Sequence, residues 1–163
     1  MPNSLGDERS EMRRQSARVR DNQRKRVYRS EHNVFRDWPQ RFDDHEQVCD
    51  FIMLVMRDEH VVNYYGIIAG VRLWLGGNFK NAKHMYRKNG TKNIFRLPTW
   101  SWYKPMLLHE LAHGYTYLNH DFNNVQGHGP EFCRVYLDLV NLFIDNDTGY
   151  KLAMAFKTNR VKF

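Results

Sequence analysis

His109-Glu110-Leu111-Ala112-His113 is the stretch that decides how this chain is read. On an α-helix, residues four apart project from one face, one turn above the other. His109 and His113 can then present two imidazoles to a single metal ion. Glu110 directly follows the first histidine and can hold a water on that metal. This is the H-E-x-x-H arrangement of zinc hydrolases. Zinc on neutral imidazoles acidifies its water, and a nearby carboxylate can take the proton during attack on a carbonyl.

The flanks support a helix there. Pro105-Met106-Leu107-Leu108 leads in, and proline suits the first helical turn. Leu107, Leu108, Leu111 and Ala112 can face a core while the two histidines face a cleft. The spacing predicts a helix over 105–118.

A catalytic zinc needs a third protein ligand and one open position. Three residues downstream qualify. His128 sits in Gly127-His128-Gly129-Pro130, where glycines let the backbone bend back toward the first two ligands. Glu131 lies just inside the next helix, although a carboxylate in a first turn is already favoured by the helix dipole. His120 lies seven residues after His113. Asn119 and Thr116 do not match the metzincin spacing. The order of preference is His128, Glu131, His120. Tyr103 or Arg134 could support an oxyanion. Asp121 and Asp138 are candidates for orienting a ligand imidazole.

The chain has 163 residues, enough for one domain with a real core. At 42% its hydrophobic share is that of an ordinary globular protein. No apolar run reaches bilayer length and no signal-peptide core follows Met1, so a cytoplasmic location and no membrane partner are expected. The two cysteines, Cys49 and Cys133, fall in apolar helical stretches and read as buried free thiols.

The net charge of +7 is unevenly placed. Arg9, Arg13, Arg14, Arg18, Arg20, Arg24, Lys25, Arg26 and Arg29 face only Glu11 and Asp21 in that stretch. A solvated, highly charged helix is the leading reading of this arm. Nonspecific contact with a phosphate backbone through Arg13, Arg14, Arg18, Arg24, Lys25 and Arg26 is the other.

Along the chain, residues 1–8 read as disordered, 9–37 as the basic N-terminal helix and 38–163 as the metal-binding domain. Within the arm, one helix is predicted from Arg9 to Arg36, docking through Val27, Tyr28, Val34 and Phe35. A helix over 43–57 buries Val48, Phe51, Ile52 and Val55. Strands are expected at Val61 to Tyr65, Val71 to Leu75, Lys83 to Arg87 and Asn93 to Pro98. Asn89-Gly90 predicts a hairpin between the last two. The final strand runs into the metal helix and could offer its backbone to an extended substrate. Helices follow over 130–143 and 150–158. This pattern is an α+β domain with a small, mostly antiparallel sheet.

His109-Glu110-Leu111-Ala112-His113 with His128-Gly129-Pro130-Glu131-Phe132 resembles a family of small metallohydrolases of actinobacteria and their phages. The start Arg20-Asp21-Asn22-Gln23-Arg24-Lys25-Arg26-Val27-Tyr28 and the strand end Leu97-Pro98 are also similar to that family. The likeness touches roughly residues 20 to 155, and it departs at Gly114, where many members carry a further histidine. More distantly the chain resembles SprT-like zinc peptidases. The resemblance implies a zincin-type domain with Zn2+ on His109, His113 and His128, and with Glu110 as general base. The expected function is therefore zinc-dependent hydrolysis of a peptide or amide in an unidentified peptide or protein substrate. The alternatives are a non-catalytic protein clamped by zinc and a nucleic-acid-associated protein using the basic arm.

Overall fold

In the computed structural model, which describes residues 19–86 and 93–163, the chain runs through six helices and three strands. In order these are α1 (Arg24–Phe35), α2 (His45–Arg57), α3 (Glu59–Tyr65), β1 (Val71–Leu75), β2 (Lys83–Tyr86), β3 (Asn93–Leu97), α4 (Lys104–Asn119), α5 (Pro130–Phe143) and α6 (Asn146–Thr158). The α+β expectation holds. No helix among the described residues is long and apolar enough to cross a membrane.

Helix α4 is the centre. Leu107, Leu108, Leu111, Ala112 and Tyr115 are all at most 1% exposed, so the helix is enclosed by α5 on one side and the sheet on another. Each buried leucine contributes roughly 1.5–3 kcal/mol relative to an exposed one. Pro105 enters in the first turn, where its missing N–H costs nothing. Pro130 does the same for α5, with Gly129 as the residue before it. Side-chain caps start three others: Asp44 on Gln47 N at 2.9 Å, Asp58 on Val61 N at 3.1 Å and Asp145 on Thr148 N at 2.6 Å.

The sheet is mixed, not mostly antiparallel. Its order is β1-β3-β2, with β1 parallel and β2 antiparallel to β3. The β2–β3 adjacency agrees with the expected hairpin, whose turn residues lie outside those described. Strand β3 is therefore central and paired on both edges. The expectation that it offers backbone to a substrate is corrected: among the described residues the outer strand beside the cleft is β2.

Val61 to Tyr65 is not a strand. It is the helix α3, because the Asp58 cap, Glu59 in the first turn and burial of Val61 outweigh the β-branched pair Val61-Val62. Helix α1 begins at Arg24, later than the predicted start at Arg9; residues before 19 lie outside those described. It docks on α6: Ser30 Oγ donates to Ala155 O, and Arg26 donates to Arg160 O. Val27 and Phe35 enter the core as expected, whereas Tyr28 stays 48% exposed. Helix α1 is thus packed on the folded body, and residues 9–18 of the expected basic arm lie outside those described. Cys49 is half-buried and Cys133 buried, both as free thiols.

Candidate metal centre

Helix α4 carries His109 and His113 one turn apart, and the turn before α5 returns His128 to them. His113 Nε2 lies 3.2 Å from His109 Nε2, and His128 Nε2 lies 3.3 Å from the same atom. Among the described residues, these three histidines form the group able to hold a metal ion. Four ligands around zinc at bond lengths near 2.0–2.1 Å stand about 3.3 Å apart, so the observed spacing fits.

The other ring nitrogens sharpen the fit. His109 Nδ1 lies 2.6 Å from Glu31 Oε1, and His128 Nδ1 lies 2.6 Å from Asp21 Oδ2. An ionised carboxylate only accepts, so each Nδ1 carries the proton and donates it. Both Nε2 atoms then present lone pairs toward one another, an arrangement that a shared cation would satisfy. Burial pulls the His109 imidazole down, but the Glu31 charge and hydrogen bond override it and its pKa is raised. For His128, burial wins over the Asp21 bond and the pKa is lowered. Burial raises Asp21, yet its bond to His128 leaves it below the ordinary value.

Glu110 is 4% exposed. Its Oε2 accepts from His84 N of β2 at 2.6 Å. Burial raises its pKa, against the opposing His109 charge and the His84 N–H. The Tyr28 ring meets His128 edge-on with centroids 4.9 Å apart, and stands 5.9 Å from His109. Burial, followed by the Glu31 charge, pushes the Tyr28 hydroxyl up to about 12.

The histidines open into a cleft of about 1440 Å³ between α1, β2 and α4. Of the two residues expected to support an oxyanion, Tyr103 lines the cleft, and Arg134 is exposed on α5 and does not. Neither Glu131 nor His120 is among the described residues grouped to hold a metal; His128 is the histidine that joins His109 and His113 there. The two expected orienting acids are corrected. Asp121 closes its own turn on Asn123 N, and Asp138 accepts from Tyr65 OH and pairs with His60. Their place is taken by Asp21 and Glu31.

Reading the sequence missed these two because they stand in a basic run. A signal was present: Glu31 lies three residues after Tyr28 and four before Phe35, on the docking face. Of the cations proposed to meet phosphate, Arg24 and Lys25 line the cleft, Arg26 is tied to Arg160 O, and Arg13, Arg14 and Arg18 lie outside the described residues. The chain matches no protein-family profile, no curated protein and no solved structure.

Proposed function

We propose that the chain is a zinc-dependent hydrolase with a zincin-like domain, acting as a peptidase on a peptide or amide carbonyl. The observation that carries this reading is the convergence of the three Nε2 atoms, with Glu110 beside the first of them. When bound, zinc supplies a Lewis acid that lowers the pKa of water and polarises a carbonyl.

The residues then have distinct tasks. His109, His113 and His128 hold the ion, and Glu31 and Asp21 fix two of the rings. Glu110 Oε2 is held by His84 N, which leaves Oε1 to take a proton from the attacking water and pass it to the leaving amine. Tyr28 and Tyr103 line the cleft with hydroxyls that keep their protons, so either can donate to the developing oxyanion. A closed structural zinc site takes four protein ligands. Three groups converge among the described residues, which favours an open position over a clamp.

The test is Glu110→Gln in zinc-loaded protein. Zinc stoichiometry should be unchanged, and turnover of a cleaved peptide should fall roughly 10²–10⁴-fold. Full activity in the variant would remove Glu110 from the mechanism. Purified protein carrying no stoichiometric zinc would remove the mechanism altogether.

A further inference from the structure

The cleft is charged in a particular pattern. Its three carboxylates, Asp21, Glu31 and Glu110, are all turned inward, onto His128, His109 and the His84 amide. The cations stand on the rim. Arg20, Arg24 and Lys25 cluster at the start of α1, and Arg36 and Arg41 lie beyond its end. Lys83 adds a cation from β2. Among the described residues Arg36 is the one of these six in a salt bridge, with the exposed Asp37, and Arg41 donates to Thr99 O and Trp100 O. Such a rim attracts a negatively charged ligand.

The spacing narrows the ligand. From Arg24 to Arg36 the helix rises about 18 Å, which is the length of five or six residues of extended peptide. Tyr28 and Glu31, the α1 residues against His128 and His109, lie between those two clusters. The metal-binding histidines therefore sit midway, with positive charge toward each end. Strand β2, the outer strand on that side among the described residues, runs along the same cleft; its His84 N–H is held by Glu110. A nucleic-acid strand, with a phosphate on every nucleotide, would lay negative charge over the carboxylate-bearing centre as well as the ends.

We infer that this cleft takes an extended polypeptide bearing acidic side chains two to three residues on either side of its centre. The inference rests on the peptidase reading only for what happens at that centre; the docking is separate. The probes are fluorescein-labelled ten-residue peptides and a ten-nucleotide single strand, binding zinc-loaded Glu110→Gln protein, read by anisotropy. One peptide carries Glu on both flanks, the second Gln and the third Lys.

The acidic peptide should bind at least about tenfold tighter than its Gln counterpart, since several exposed pairs each contribute a small share. That advantage should shrink as salt rises. It should fall about threefold or more in Arg24→Gln/Lys25→Gln and in Arg36→Gln. Equal binding of the acidic and Gln peptides overturns the inference, and so does a nucleic-acid strand that binds more tightly and expels the acidic peptide. Wild-type protein separates the two ideas. If it cleaves neutral peptides as fast as acidic ones, the peptidase reading survives and this inference fails. If acidic peptides bind with the stated selectivity and none is cleaved, the inference holds and the peptidase reading fails.

Discussion

Glu31 Oε1 lies 2.6 Å from His109 Nδ1, so a residue of the first helix fixes the ring of a histidine 78 positions later. That bond sets the tautomer and aims Nε2 at its two neighbours. Replacing Glu31 by Gln keeps an acceptor and removes the charge; replacing it by Ala removes both. Zinc affinity should fall about 10–100-fold in Glu31→Ala and less in Glu31→Gln. Competition against a chromophoric chelator measures this. An unchanged affinity in Glu31→Ala would mean that the His109 ring is held by its packing against Phe132 and Tyr136 alone.

Asp21 is the matching partner of His128, and it lies ahead of α1 rather than on it. Its neighbour Gln23 donates to His128 O at 2.7 Å and to Lys162 O at 2.9 Å, and its side-chain oxygen accepts from Lys162 N at 2.9 Å. The segment is thus tied both to the metal-site turn and to the far end of the chain. Asp21→Asn should weaken zinc binding about tenfold or more, by the same chelator competition. Gln23→Ala should do so by a smaller factor while also lowering the thermal midpoint, since it removes three hydrogen bonds to the backbone of His128 and Lys162. A Gln23→Ala protein with wild-type midpoint would show that water replaces those bonds.

Gly114 follows His113 on the buried side of α4. A Cβ there would stand 2.8 Å from Ile68 Cδ1 and 3.0 Å from Phe95 Cζ, both in the core. Alanine would gain about 1 kcal/mol of helix propensity over glycine. Overpacking costs typically 1–3 kcal/mol. Gly114→Ala should therefore lose about 1 kcal/mol net, and Gly114→Val clearly more. Chemical denaturation of the zinc-free proteins measures both, and a stabilised Gly114→Ala would show that Ile68 and Phe95 can shift aside.

The convergence of His109, His113 and His128 was legible because helix spacing and glycine flanks act locally. The buried faces of α2, α4 and α5 were legible for the same reason. Strand order was not: nothing in Asn93 to Leu97 says that β1 pairs parallel to it from the other side. Asp21 and Glu31 were hidden because composition marks their segment as a charged, solvated arm. Only docking of Val27 and Phe35 places the helix so that Glu31, and Asp21 just ahead of it, meet the histidines. Val61 to Tyr65 misled because β-branched residues favour strands when nothing caps them.

That last error has its own test. Asp58 Oδ1 accepts from Val61 N at 3.1 Å and is the side-chain cap of α3. Asp58→Ala should cost about 1 kcal/mol in a denaturant titration, and Asp58→Asn much less. Equal losses in the two variants would place the effect in the charge rather than in the cap.

His84 makes stability depend on pH. It is 7% exposed, its Nε2 is 2.9 Å from Asn93 Oδ1, and its ring is tilted against Phe95 and stacked on Tyr117. Burial pushes its pKa down to about 4, despite the Asn93 hydrogen bond, while an unfolded histidine titrates near 6.5. Between these values the unfolded chain takes up a proton that the folded chain refuses, so acid favours unfolding. The contribution is fully present above about pH 6.5, fades as pH falls, and is gone below about pH 4; its size is at most about 3 kcal/mol. His84→Gln keeps an amide that can donate to Asn93 and has no titration in this range. The thermal midpoint of zinc-free wild-type protein should therefore fall more steeply between pH 7 and pH 4.5 than that of His84→Gln. His109, His113 and His128 are common to both proteins, so their titration cancels in the comparison. Parallel curves would mean that His84 titrates alike in the folded and unfolded chains.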